Sequence, residues 1–586
     1  MKWSRFMVLL LLFIPQFSAR AENTTEEKCW KVFELDHRET KDIITSVRLL
    51  KRMGKIYETY FKEASAFTPS DEDKARGFSV FIKSTGDELF PNSRPEETLA
   101  GKVLAAAGVR GEIVSLVVCV LPENDVSNSC VSVSDLAKSG GKLISKENIQ
   151  IKHIKYDYVA TGNSWMLKGR YLVNGPVAIP AGVTRAFRLS VKIPADAEAG
   201  EYKGKISVAA GGKSAYAVFS LEVLPFEWAE LPPLHTFWIR DNSPYESGPT
   251  LEKRLEDLHA HGMNCYDSDL PVTWKIENGV LKIDYSIAEK TAPLLKKYGF
   301  TKWMITGREY IELAKSAGEV LWSPEHIKIY TALIAGFKEK AEKEGWPEII
   351  WMADSAGFSA SDQNAAVDSI TLPKLYNDML NFAGITAKAG ARSNISWVSD
   401  TRTSDNSGLV PFFFYNTGRI GLCEKTMETA ERLKKPLLLY NCGLNRYSFG
   451  LLVKQRNALG NSMPYYCAAK YGNPTTPGAS ISCVVTGPDS SLIDTYAWEQ
   501  AGEGVNDFRY IWTLEHALAG CREPASPGAA AARAALDAVS KVTFTGADIK
   551  TLSPDPFAAE MTDFKGSRLD KVRTDIIECI MALKKQ

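Results

Sequence analysis

Between residues 77 and 225, apolar and polar positions alternate in short runs set off by Gly, Pro, Asn and Asp. "GEIVSLVVCVL", "IQIKHIKYDYVA", "TRAFRLSVKIP", "GEYKGKISVAAG" and "SAYAVFSLEVLPF" each show the two-residue period of a strand bounded by turn chemistry. Strands at this spacing predict a β-sandwich. In "IPADAEAGEYKG", Pro194 and Gly200 mark the turns of a hairpin. Upstream, "DIITSVRLLKRMGKIYETYFKEA" sets Ile44, Val47, Leu50, Met53, Ile56 and Tyr60 at steps of three and four, which predicts an amphipathic helix needing a partner surface.

After Pro232 and Pro233 the period changes. Apolar runs recur as "HTFWIRD", "MNCYDSD", "TKWMITG", "EIIWMAD", "SNISWVSD", "VPFFFYN", "PLLLYNC" and "SMPYYCA". Helical patterns lie between most of them: "GPTLEKRLEDLHAHG", then "SPEHIKIYTALIAGFKEKAEKEG" with Ser323 as N-cap and Pro324 at N1, then "LPKLYNDMLNFAGITAKAG" and "CEKTMETAERLKK". Strand–helix units repeated in this way predict an α/β (β/α)8 TIM barrel, whose chemistry sits at the C-terminal strand ends. The Ala-rich "PASPGAAAARAALDAVSKV" and the tail "DKVRTDIIECIMALKKQ" read as closing helices. The expected organisation is a leader at 1–21, a helical segment at 22–75, the sandwich at 76–230, the barrel at 231–522 and a helical segment at 523–586.

Composition narrows the classes of partner. A chain of 586 residues is too long for one core, and its 45% hydrophobic content argues against disorder. Lys plus Arg and Asp plus Glu balance at 70 each, so no basic excess supports a nucleic-acid partner. "MKWSRFMVLLLLFIPQFSARA" joins Lys2 and Arg5 to an apolar run and a small-residue end at Ala19 and Ala21, the grammar of a cleaved signal. The expectation is a secreted or periplasmic protein, with no transmembrane segment beyond the signal. The 10 cysteines show no CxxC spacing, which argues against a zinc ribbon. Cys119 and Cys130 flank a short polar loop and read equally well as a disulfide or as free thiols.

Polar residues gather at the expected strand ends: Arg240 and Asp241, Asp267 and Asp269, Arg308 and Glu309, Asp354, Asp400 with Arg402, Tyr415 and Asn416, Tyr440 and Asn441. Acids, arginines and aromatics at one barrel mouth suit a sugar cleft, where rings stack on apolar sugar faces and acids grip hydroxyls. The plainer reading of Asp354 is a carboxylate accepting amides of its own loop. Trp397, Tyr415, Tyr440 and Tyr465 serve either as sugar platforms or as ordinary packing. His259 and His261 of "HAHG" sit at i and i+2, pointing apart around a helix, so no metal is expected there. Glu503 and Asp507 are read as structural, bonding the loop that carries Asn445 and Arg446.

Several phrases resemble those of secreted family 123 glycoside hydrolases. "GVTRAFRLSVKIPADAEAGEYKGKISV" with "LEVLPFEW" is similar to their N-terminal domain. "YNCGLNRYSFGLLVKQRNALGNSMPYYCAAK" with "DTYAWEQAGEGVNDFRYIWTLEHAL" is similar to their final barrel strand and helix, with Gly502 where an arginine is usual, followed by Glu503, Gly504, Asp507, Phe508 and Tyr510. The resemblance implies a β-N-acetylgalactosaminidase-like, substrate-assisted retaining reaction on N-acetylhexosamine glycans, in which the acetamido oxygen is the nucleophile. It implies an Asp-Glu pair after the fourth strand. Asp354 fills the first place and orients the acetamide. Ser355 stands in the place of the acid and lacks the acidity to protonate a leaving oxygen. Glu309, Asp400 and Asp269 are the candidates to replace it. Arg240, Asp267, Asp269, Trp397, Tyr415, Tyr440 and Arg446 are the expected substrate contacts, with no cofactor. The alternative is a catalytically inactive glycan-binding or scaffold protein.

Overall fold

The structure is a computed structural model that describes residues 25–39, 44–45, 47–48, 67–95, 103–161, 164–241, 248–307, 309–353, 385–386, 388–389, 392–395, 413–416, 430–463, 465–467, 469–470, 482–487, 491–542 and 565–585. The expected helix over residues 42–64 and the leader lie outside the described residues, apart from a few positions between 44 and 48.

The N-terminal half is sheet-rich. One antiparallel sheet runs Phe78–Lys83, Ile113–Pro122, Arg185–Lys192, Ile149–Thr161, Ser164–Val173 in spatial order. A second contains Val103–Gly108, Lys213–Val223, Gly200–Ala210 and Val126–Val133, with shorter strands at its margin. Their alternating apolar positions meet in one core, with Val118, Val120, Phe187 and Leu189 from the first sheet and Ile206, Val208, Phe219 and Leu221 from the second. This pairing of faces is what the period-two runs demand, since each strand hides every other side chain. Cys119 and Cys130 lie on strands of different sheets; both thiols are free, Cys119 buried and Cys130 exposed, so the free-thiol reading holds and the disulfide reading does not.

The second half holds an eight-stranded parallel sheet. We number its strands β1 (Trp238–Ile239), β2 (Cys265–Ser268), β3 (Lys302–Gly307), β4 (Glu348–Ala353), β5 (Arg392–Ile395), β6 (Phe413–Asn416), β7 (Leu437–Tyr440) and β8 (Ala458–Met463). Their spatial order is β1-β8-β7-β6-β5-β4-β3-β2. The terminal strands β1 and β2 also meet: Asp241 N–H donates to Asp267 O at 3.0 Å, Cys265 N–H to Phe237 O at 3.3 Å, and Arg240 bridges Asp267 in parallel. The seven earlier runs overlap their expected positions. The last one lies upstream, at residues 458–463 rather than the expected "SMPYYCA", which it overlaps by two residues. Gly460 is required there: a Cβ would lie 1.9 Å from Thr236 O.

Strand parity separates two apolar layers. Trp238, Cys265, Met304, Ile350, Met352 and Leu438 form one cluster on one face of the sheet. Ile239, Tyr266, Trp303, Ile305, Trp351 and Leu439 face the other way and join Leu255, Leu333 and Phe337 of the surrounding helices in the main core. The helix Pro324–Lys343 begins as expected, with Ser323 Oγ accepting from His326 N–H at 3.2 Å and Pro324 in its first turn. An unforeseen hairpin, Thr273–Glu277 with Val280–Asp284, follows β2.

The helices Tyr496–Ala519 and Gly566–Lys584 tie the halves together. Arg188 of the first sheet pairs with Glu499 at 2.9 Å, and just before the first of these helices Asp494, on the short strand Leu492–Asp494, pairs with Lys152 at 2.5 Å. Gly566 N–H donates to Asp87 Oδ1 at 2.7 Å, anchoring the last helix on the N-terminal half.

Candidate functional site

At the C-terminal ends of β1 and β2 the structure brings together Arg240, Asp267 and Asp269. The parity that buries Trp238 and Cys265 in one cluster carries Arg240 and Asp267 to the same face of the sheet two residues on. Trp238 Nε1–H donates to Asp267 Oδ2 at 2.9 Å, and the carboxylate is buried. Arg240 Nη2 pairs with Asp269 Oδ1 at 2.7 Å, with Asp269 largely exposed. An exposed pair of this kind is worth little on its own, so a sugar hydroxyl can replace water around it at small cost. Tyr440, at the end of β7, packs on the Trp238 cluster and supplies an aromatic wall. Asp241 has the opposite parity: it accepts from Arg254 Nε at 2.8 Å and from Tyr266 OH at 2.9 Å, fixing the next helix to the sheet.

Two expected site residues are placed elsewhere. Glu309 opens the helix Glu309–Ala317 and is buried, with Oε1 accepting from Tyr330 OH at 2.8 Å. Tyr330 belongs to the core between sheet and helices, and burial, reinforced by Glu309, pushes its phenol well up, so it remains a donor. Arg446, expected to contact substrate, is fully buried instead: Nε and Nη2 pair with Asp507 at 2.7 and 3.1 Å, and Nη1 reaches Asp570 and Thr85. Arg573 adds ion pairs to Asp507 at 2.5 Å and Glu503 at 2.8 Å. Desolvation opposes charge here, but Asp507 outweighs it, and the Arg446 guanidinium stays protonated. The structural reading of Glu503 and Asp507 is the one the contacts support.

Asp354, Ser355, Trp397 and Asp400 lie outside the described residues, as does Arg308; Tyr415 lies on β6, its side chain outside the description. Trp238 and Ser462 are site residues that the sequence reading passed over. Ser462 is paired in register with both Trp238 and Tyr440, so it faces their side, and its hydroxyl is buried without a hydrogen-bond partner among the described residues. The signal for Trp238 was available, since it stands two positions before Arg240. Among the described residues no three His, Cys, Asp or Glu side chains are set to hold a metal, and no helix is long and apolar enough to cross a membrane.

Residues 84–210 match the family described as the glycoside hydrolase 123 N-terminal domain. No curated protein matches the chain. Among solved structures, a family 123 glycoside hydrolase from Clostridium perfringens, studied for glycolipid glycan hydrolysis, aligns over 86% of this chain and 99% of its own, at 14% identity and a TM-score of 0.59. A family 39 glycoside hydrolase from Bacteroides cellulosilyticus aligns over 72% and 82%, at 13% identity and a TM-score of 0.33. The first of these likenesses is one of fold; the chain thus joins a stretch that matches the family 123 N-terminal domain to a second half of mixed helix and sheet.

Proposed function

We propose that the chain is an exported glycoside hydrolase with a β-sandwich and a (β/α)8 barrel, acting on N-acetylhexosamine glycans by the substrate-assisted, retaining route of a β-N-acetylgalactosaminidase. The observation that carries this reading is the convergence of Arg240, Asp267 and Asp269, with Trp238 and Tyr440 beside them, at one end of the parallel sheet. A buried carboxylate fixed by an indole N–H, a partly exposed cation and the Tyr440 ring are groups that can hold a sugar in place. Asp354, the residue that follows β4 in the sequence, is the acid assigned to orient the acetamido group. The acetamido oxygen then attacks the anomeric carbon, the glycosidic oxygen leaves with a proton from a displaced acid, for which Asp400 is the remaining candidate, and water reopens the oxazoline-type intermediate with retention.

A second reading, a glycan-binding protein without turnover, is favoured by Ser355 and by the placement of two replacement acids. Glu309 is held on the helix side by Tyr330, and Asp269 is engaged by Arg240. An aryl β-N-acetylgalactosaminide separates the two readings, because its phenolate needs little protonation to leave. Release of phenol by the wild type that is abolished by Asp354→Asn supports the hydrolase. Saturable sugar binding without release supports the binding protein, and neither release nor binding overturns both.

A further inference from the structure

A cavity of about 760 Å³ opens in the N-terminal half between the helix Thr25–Asp36 and the ends of the first sheet, and none of its lining residues belongs to the eight-stranded sheet. That volume falls within the range that takes a small ligand, about 300–1,000 Å³. Its apolar surface comes from Phe67, Leu121, Pro122 and Pro180. Flat, rigid prolines and an aromatic ring offer the kind of surface on which the C–H face of a sugar packs.

The polar side of the cavity is built around Gly182. Arg94 Nη2–H donates to Gly182 O at 3.0 Å, and Nη1–H to Ser93 O at 3.0 Å. Lys28 approaches the same glycine so closely that a Cβ there would lie 3.3 Å from its Nζ. Gly182 is itself fixed, with its N–H donating to Pro122 O at 2.8 Å and a φ of 69° that favours glycine. Two cationic side chains therefore converge on one rigid point of the cavity wall. Carbonyl oxygens are the partners of Arg94, and among the described residues neither Arg94 nor Lys28 forms an ion pair. Burial disfavours the charge on Arg94, with a smaller opposing effect from Tyr156, and among the described residues no carboxylate offsets it.

The described acids that line the cavity do not supply that offset. Asp125 is occupied by Lys31 at 2.8 Å and by Ala181 N–H at 2.8 Å. Glu27 and Glu123 are exposed, where water and salt screen them. A half-buried guanidinium beside a lysine, whose acceptors among the described residues are neutral carbonyls, is suited to an anion.

We propose that this cavity is a second saccharide site, selective for a glycan that carries an anionic group, a uronate carboxylate or a sulfate ester, seated between Arg94 and Lys28. The choice of a saccharide rests on the glycan reading above, whereas the anion site stands on its own geometry. Such a site would hold an acidic glycan on the N-terminal half while the sheet end engages another sugar.

The test is calorimetric titration of the full chain carrying Asp354→Asn with a galacturonic acid disaccharide, its dimethyl ester and sodium sulfate. The expected result is saturable binding of the acid, at least about tenfold weaker binding of the ester, and weaker binding still of sulfate. Lys28→Gln and Arg94→Gln should each weaken the acid about tenfold while leaving aryl glycoside release by the otherwise wild-type chain unchanged. Lys28 is half-exposed on a helix, so its variant folds even where the Arg94 variant does not. Equal affinity for acid and ester, sulfate binding as tight as the disaccharide, undiminished binding by Lys28→Gln, or no saturable binding would each overturn the proposal. None of these results bears on aryl glycoside release, so this site and the catalytic reading can fail separately.

Discussion

Trp238 Nε1–H donates to Asp267 Oδ2 at 2.9 Å, so the indole of β1 holds the carboxylate of β2 in place from within the sheet. Both side chains are buried, and the bond crosses the junction between the two terminal strands. Trp238→Phe keeps an aromatic ring but deprives the carboxylate of this donor, at an expected cost of about 1–3 kcal/mol. The cost should appear as a lower urea midpoint at unchanged m. Weaker sugar binding should accompany it if Asp267 positions substrate; an unchanged midpoint would show that the bond adds nothing.

The buried pair of Arg446 and Asp507 calls for a different experiment. Removing Arg446 leaves Asp507 with Arg573 as its remaining cation among the described residues of the interior, so the cost should fall below the ~3–5 kcal/mol of a buried charge left wholly unpaired. Arg446→Met should therefore lower the thermal midpoint markedly and leave KM near the wild-type value in whatever protein still folds. A raised KM with unchanged stability would return Arg446 to the sugar site.

Local pattern made much of the fold legible, and long-range pairing set the limit. The Ser323–Pro324 helix start and the parity of β1 to β4 follow from neighbouring residues, because caps and pleats are local devices. The Thr273–Asp284 hairpin was equally readable: Asn278 and Gly279 both take positive φ, the turn that an Asn-Gly pair favours between alternating strands. Arg446 was not readable, because an arginine after a strand looks the same whether it meets a ligand or an aspartate 61 positions away. Glu309 follows β3 as expected, yet the side it faces was set by Tyr330, 21 positions on.

Glu112 makes stability depend on acidity. Its carboxyl is buried between the halves, accepts from Tyr510 OH at 2.5 Å, and burial raises it from 4.5 to about 7 despite Arg573 and the Tyr510 bond. The folded state thus holds a proton that the unfolded chain has already released. The stabilisation is complete below about 4.5 and is lost as pH rises through about 7, at up to about 1.4 kcal/mol per unit. Glu112→Gln should flatten this stretch of the stability–pH curve measured by urea unfolding. An identical slope in the variant would assign the decline to other groups.

His261 acts over a higher range. Its ring stacks on Trp498 at 4.2 Å and lies between Asp257 at 3.1 Å and Glu499 at 3.4 Å, with Arg188 on the far side of Glu499. Burial alone would lower its pKa, but the two carboxylates outweigh burial and raise it well above 6.5. The stabilisation from this imidazolium is present below 6.5 and lost as pH rises through the higher folded value. His261→Gln should remove the thermal-midpoint decline on the alkaline side of 6.5. A decline that persists unchanged would place its origin elsewhere.

Ser355 offers the sharpest test of the chemistry. A general acid contributes a factor of about 10² to 10⁴, chiefly for poor leaving groups, because an alkoxide must be protonated as it departs and a phenolate need not be. Ser355→Glu restores the acid that the resemblance expects beside Asp354. Turnover of a natural N-acetylgalactosaminide should rise toward that factor, while an activated aryl glycoside should change little. The rise should also bring an alkaline limb to the kcat profile, since only the protonated glutamic acid can donate. Equal gains on both substrates would point to altered binding, and no gain on either would mean that position 355 no longer stands where the leaving oxygen passes.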